Sequence, residues 1–173
     1  MRLRDATAGD AAAIAAIWNP EIRETSITFN SVEKTPEEVA ATIRARHGAG
    51  YGFILAEEAD GEILGFATYA QFRAGAGYAR TMEHTVILAP AARGRGLGRA
   101  LLAAVEEHAR AGGAHSILAG VSGENPAGIA FHAALGYREV AVLPRVGFKF
   151  GRWMDLHLMQ KFLHPPDNPG KNR

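Results

Sequence analysis

The stretch Arg93-Gly94-Arg95-Gly96-Leu97-Gly98 constrains this chain more than any other. An apolar run, Thr85-Val86-Ile87-Leu88, comes before it, and an alanine- and leucine-rich run from Arg99 to Ala111 follows. That order predicts a strand, a glycine-rich turn and a helix. Such a turn leaves backbone N–H groups unpaired at the helix start, where the helix dipole also favours negative charge, and glycines let an anion approach without meeting a Cβ. The guest implied is a phosphate or pyrophosphate. A P-loop is excluded, because it ends in Gly-Lys-Ser/Thr and here Gly98 is followed by Arg99 and Ala100. A dinucleotide fingerprint fits poorly, since Gly94, Gly96 and Gly98 are spaced G-x-G-x-G with no acidic residue where a ribose needs one. A tight, basic, solvated strand-to-helix turn is the alternative to an anion cradle.

Composition narrows the partners. A length of 173 residues matches one domain with a real core, and 19 Lys and Arg against 18 Asp and Glu leave a formal charge of +1. That balance, without a long basic stripe, disfavours a nucleic-acid binder using Arg93, Arg95 and Arg99, and nothing in it points to a membrane. With no cysteine, a disulfide, a thiolate metal site and a cysteine acyl-enzyme are impossible. The histidines show no H-x-H or H-E-x-x-H spacing, so no metal is expected. No basic segment leads into an apolar run at the start and no stretch is long enough to span a bilayer, so a cytoplasmic protein is expected.

Along the chain, Leu3 marks a short first strand, and Thr7 and Asp10 can cap a helix carrying Ile14, Ile17 and Trp18. Asn19-Pro20 is expected to interrupt that helix, and residues 21–29 read as helix, then loop or strand. Thr35-Pro36-Glu37-Glu38 is a helix start with a capping box, and Val39 and Ile43 share one face. Strands follow from Phe53, from Ile63 to Phe72 after the Asp60-Gly61 hairpin, and from Met82 to Leu88. Beyond the helix from Arg99, Ile117–Val121 is a strand and Asn125-Pro126 opens a short helix ended by Gly136. Tyr137–Leu143 and Trp153–Phe162 are the last strands, and residues 164–173 are expected to form a disordered tail. The fold class is therefore α/β, a mixed, mostly antiparallel sheet with helices on both faces, in one domain over residues 1–163.

This order of elements resembles the acyl-CoA N-acyltransferase fold of the GNAT superfamily from end to end. Arg-x-x-Gly-x-Gly, from Arg93 to Gly98, resembles that family's pyrophosphate loop, and Asn125 to Tyr137 resembles its later motif, an asparagine and a helix ending in Leu-Gly-Phe/Tyr. Thr81-Met82-Glu83-His84-Thr85-Val86, Phe72-Arg73 and Lys149-Phe150-Gly151-Arg152-Trp153 are similar to segments of the phosphinothricin and methionine sulfoximine acetyltransferase branch. The resemblance covers residues 2–163.

The resemblance implies acetyl-CoA as co-substrate and direct transfer of its acetyl group to a primary amine. Backbone groups of Val86, Ile87 and Leu88 would meet the acyl arm, and the amides of Gly94, Arg95, Gly96, Leu97, Gly98 and Arg99 would cradle the pyrophosphate. Asn125 either contacts the pantetheine arm or simply caps its helix, since asparagine suits both roles. Glu83 is the candidate general base, acting directly or through one water, against the alternative of a solvated carboxylate at a strand end. His132 stands where many GNAT proteins have a tyrosine that protonates the departing thiolate; it is either that acid or a histidine packed over the sheet. Arg73, with Ala74 and Gly75, would read the acidic end of the acceptor, beside Glu83, His84 and Thr85. Phe29, Lys149 and Arg80 are weaker candidates, and Arg80 and Arg152 read best as solvated charges.

The favoured acceptor is a small amino acid analogue such as phosphinothricin or methionine sulfoximine, which implies a role in antibiotic or herbicide resistance. The alternatives are another amine, an amino acid or a polyamine, or a non-catalytic acyl-CoA binding module. Homodimers, known across the branch, are the expected assembly.

Overall fold

The structure, a computed structural model, describes residues 1–164; the tail expected from residue 164 lies, but for His164, outside the described residues. The chain runs β1 (Arg2–Asp5), a 3-10 turn (Ala8–Asp10), α1 (Ala11–Glu24), α2 (Pro36–Gly48), β2 (Phe53–Glu57), β3 (Ile63–Gln71) and β4 (Thr81–Leu88). It continues with α3 (Leu97–Ala111), β5 (Ser116–Ser122), α4 (Pro126–Ala134), β6 (Arg138–Lys149) and β7 (Arg152–Phe162). The strands form a seven-stranded sheet in the order β1-β2-β3-β4-β5-β7-β6. Every neighbouring pair is antiparallel except β4 and β5, which are parallel.

Strand periodicity sorts the side chains into two cores. Phe53, Leu55, Phe66 and Ile87 meet Ile14 of α1 and Val39 and Ile43 of α2 on one face. Met82, Ile117, Ala119 and Val121 meet Leu101 and Val105 of α3 on the other. In β4 this places Glu83, Thr85 and Ile87 toward α1 and α2, and Met82, His84 and Val86 toward α3 and α4. The expected capping box of α2 is present: Glu38 N–H donates to Thr35 Oγ1 at 3.2 Å, and Thr35 N–H donates to Glu38 Oε2 at 2.8 Å.

Two expectations about elements are corrected. Pro20 does not interrupt α1, which continues to Glu24. An interior proline costs about 3 kcal/mol. That cost is offset beyond it, where Ile22 is fully buried and the buried Glu21 accepts a hydrogen bond from Arg93. The strand expected to stop at Leu143 runs to Lys149, because Pro144-Arg145-Val146 form a bulge and pairing with β7 resumes at Gly147 opposite Met154. Arg145 there takes a φ of 52°, and its N–H donates to Asp155 Oδ1 at 2.9 Å.

Candidate functional site

The ladder between β4 and β5 ends at Glu83 opposite Leu118, after which β4 stays with β3 as far as Leu88 while β5 follows β7 to Ser122. The two parallel strands splay apart. From His84 to Leu88 one backbone edge of β4 therefore has no strand partner, and a cavity of about 390 Å³ opens beside it. Its wall includes Trp18, Phe29, Glu83, Thr85, Asn125 and His132. An amide-containing chain lying in the gap would find free N–H and C=O groups along that edge.

Past β4 the chain turns through Gly94 (φ 75°) and Gly96 (φ 79°), left-handed conformations that favour glycine, and α3 begins at Leu97. The N–H groups of Gly94, Arg95, Gly96, Leu97, Gly98 and Arg99 donate to no backbone carbonyl among the described residues; the first to return is Ala100, to Gly96. These unpaired N–H groups form a main-chain cradle at a helix start, an arrangement that suits an anion. Its arginines brace it. Arg93 pairs with Glu21 of α1, and Arg95 donates to Glu58 Oε1 at 2.6 Å, while Arg99 is exposed in the first turn of α3. Val86, Ile87 and Leu88 lie on the strand leading into the cradle, with Val86 and Ile87 in the cavity wall.

At the other end of β4, Glu83 Oε1 lies 3.1 Å from the point a Cβ on Gly120 would occupy, so the absence of a side chain on β5 leaves room for the carboxyl. Burial holds the Glu83 carboxyl above the usual carboxylate range. His84 points to the opposite face. It stacks on His132 with ring centroids 5.1 Å apart and meets the Tyr137 ring edge-on, and burial with the neighbouring His132 pushes it down to about 3. His132 Nδ1 lies 2.7 Å from the Gly128 carbonyl, which can only accept, so Nδ1 carries the hydrogen and Nε2 presents a lone pair. Nε2 is buried without a partner among the described residues, and burial lowers the His132 pKa. At neutral pH it is an uncharged acceptor. Asn125 Oδ1 accepts the Gly128 N–H at 2.9 Å as the cap of α4, and the same residue lines the cavity, so its two roles are compatible.

The remaining residues divide. Phe29 lines the cavity with its ring against Gly147 of β6, and Thr85 lines it from β4. Lys149 is elsewhere: it is buried, and its Nζ donates to the carbonyls of Thr25 at 2.6 Å and Thr28 at 2.9 Å. It shapes the segment that brings Ile27, Thr28 and Phe29 to the cavity and does not line the cavity itself. Arg73, Ala74 and Gly75 form an exposed loop outside the cavity wall, with the Arg73 guanidinium 5.9 Å from the Tyr78 ring centroid. Gln71, which does line the cavity, holds this loop through Nε2, donating to the carbonyls of Arg73 at 2.6 Å and Gly75 at 2.7 Å. Arg80 is exposed and Arg152 pairs with Glu124 at the surface. Sequence reasoning missed Trp18 and Arg46, both in the cavity wall. The signal for Arg46 was its place on the same helical face as Val39 and Ile43. Among the described residues no group of three or more His, Cys, Asp or Glu could hold a metal ion, and no helix is long and apolar enough to cross a membrane.

Comparison with known proteins gives this geometry a context. The family model for the acetyltransferase (GNAT) domain matches residues 3–158. The chain is 40% identical to an L-methionine sulfoximine/L-methionine sulfone acetyltransferase of Pseudomonas paraeruginosa, over 94% of this chain and 95% of the relative. It is 37% identical to an L-amino acid N-acyltransferase of Escherichia coli, over 98% of each. A GNAT superfamily phosphinothricin acetyltransferase from Sinorhizobium meliloti, solved in complex with acetyl-CoA, superposes with a TM-score of 0.89 at 32% identity, over 93% of this chain and 87% of that one.

Proposed function

The chain belongs to the GNAT acetyltransferase family and is an acetyl-CoA-dependent N-acetyltransferase, and from that premise we propose that its acceptor is a small α-amino acid or analogue, such as methionine sulfoximine or phosphinothricin. The observation that carries the reading is the gap between β4 and β5, with unpaired amides at one end and a half-buried carboxyl at the other. Acetyl-CoA supplies the activated acetyl group as a thioester. The residues present fit it: the Gly94–Arg99 amides suit a pyrophosphate, and the free edge of β4 from Val86 to Leu88, with Asn125, suits an amide-bearing arm.

In this reading Glu83 takes a proton from the acceptor amine, directly or through one water, and burial moves its pKa toward neutrality, where a base works best. His132 holds the α4 side of the cavity with Nε2 as an acceptor. A general-acid role would require the imidazolium, which burial opposes. The 73–75 loop, tethered through Gln71 to the cavity wall, would cover the acceptor, with Arg73 on its anionic end. Lys149 would act on the acceptor only by positioning the segment that carries Phe29. The domain is taken to span residues 1–163, the location to be cytoplasmic, where acetyl-CoA is made and used, and the assembly to be a homodimer.

A panel of amines tests the acceptor, with release of free thiol as the readout. Methionine sulfoximine, methionine sulfone and phosphinothricin should turn over faster than polyamines. Turnover of a polyamine with none of the three would reject the proposed acceptor class, and acetyl-CoA binding without turnover of any amine would favour a non-catalytic module.

A further inference from the structure

Among the groups that wall the cavity, one cation has no counter-ion. Helix α2 buries Val39 and Ile43 against the sheet, and Arg46 is the next position on that same face. Its side chain is part of the cavity wall that also includes Trp18, Ala70 and Gln71, on the face of the sheet toward which Glu83 also points. Arg46 Nε is buried without a hydrogen-bond partner among the described residues. No carboxylate among them holds the guanidinium, and burial pushes it below its ordinary value, whereas Arg4, Arg23, Arg110 and Arg152 are each raised by an acidic partner.

A guanidinium stays charged and offers five donors in a planar fork that matches an oxyanion. Leaving such a donor buried and unpaired is costly, so a site that retains one is built for a partner that arrives. We propose that Arg46 is a specificity-determining residue that receives an oxyanion of the acceptor. This rests on the reading that the acceptor amine binds at Glu83. The oxyanion is either the α-carboxylate that every amino acid acceptor shares or a side-chain group such as a phosphinate; the chemistry at Arg46 is the same.

Arg46→Met and Arg46→Lys separate these cases. Each variant is assayed with methionine sulfone, methionine sulfone carboxamide and phosphinothricin, and acetyl-CoA affinity is measured by calorimetry as a control on folding. In Arg46→Met, KM for acceptors bearing the recognised oxyanion should rise about 10–100-fold, the range expected on losing a hydrogen bond to a charged group, with acetyl-CoA affinity unchanged. Arg46→Lys keeps the charge without the fork, so it should fall between the two and keep the question answerable if the methionine variant does not fold. A rise for methionine sulfone but not for its carboxamide identifies the α-carboxylate, and a rise confined to phosphinothricin identifies the side-chain oxyanion. An equal change for all three acceptors would overturn the role of Arg46 while leaving the acceptor class standing. If the unmodified enzyme acetylates none of them, the acceptor reading falls and the proposal with it.

Discussion

Glu83 illustrates how one residue's environment can set both activity and stability. Its carboxyl is raised by burial, with no cation to offset the desolvation. Between its ordinary value of 4.5 and its raised folded value, the native state holds a proton that the unfolded state has lost. Stability from this group is therefore complete below 4.5 and declines as pH rises through the window, so at neutral pH the ionised form is a net cost to the fold. The proposed role of Glu83 as base has the opposite requirement, since only the carboxylate accepts a proton. Glu83→Gln should thus lower kcat/KM by about 10²–10⁴-fold near pH 7 and remove the acidic limb of the pH profile. Thermal unfolding should show a raised Tm at pH 7, with the difference from the unmodified enzyme closing at acidic pH. Of the other titratable groups of the cavity, His84 is pushed down to about 3 by burial and Arg46 stays charged. Near-full activity of Glu83→Gln across pH would show that the base is elsewhere. The family resemblance made Glu83 and His132 visible in the sequence, and Lys149 was a weaker candidate. Only the folded chain shows that the Lys149 ammonium donates to the Thr25 and Thr28 carbonyls.

Local grammar explains much at the level of elements. The strand, turn and helix around Arg93–Gly98 were legible because glycine spacing and apolar periodicity are properties of neighbouring residues. Gly96 takes a left-handed conformation at the helix start, and a Cβ there would meet nothing, which leaves the space above the cradle open to an anion. Gly96→Ala should cost about 1–2 kcal/mol of stability from the backbone alone, seen as a lowered Tm. It should also weaken acetyl-CoA binding at least tenfold by calorimetry, while KM for the acceptor changes little. Retained affinity would place the pyrophosphate elsewhere. The elements that were misread are those settled by distant partners. Pro20 signals a break to any local reading, yet Arg93, far along the chain, pairs with Glu21 just beyond it. The bulge at Pro144-Arg145-Val146 likewise depends on β7, through Asp155 and the resumed pairing at Gly147.

For the molecule as a whole, the sheet leaves β6 as an edge strand with an apolar surface. Val140, Val142, Leu143, Val146, Phe148, Phe150 and Trp153 are exposed along β6, the turn after it and the start of β7. An exposed edge rich in large apolar side chains is an association surface, and a second copy of the chain is the proposed occupant. Sedimentation at micromolar concentration should find a dimer, and Trp153→Asp should shift it toward monomer; a monomer at every concentration would reject the assembly. The sequence by itself determined the order of the elements and the strand, glycine turn and helix around Arg93–Gly98, because these rest on short-range patterns of glycine, capping residues and apolar spacing, and the resemblance of its motifs pointed to the family. Only the tertiary structure decided that β4 and β5 part after Glu83, that His132 is locked as a neutral acceptor, and that Arg46 faces the cavity while Lys149 does not. Each of these depends on which remote groups share a side chain's surroundings, and that is settled by packing across the sheet.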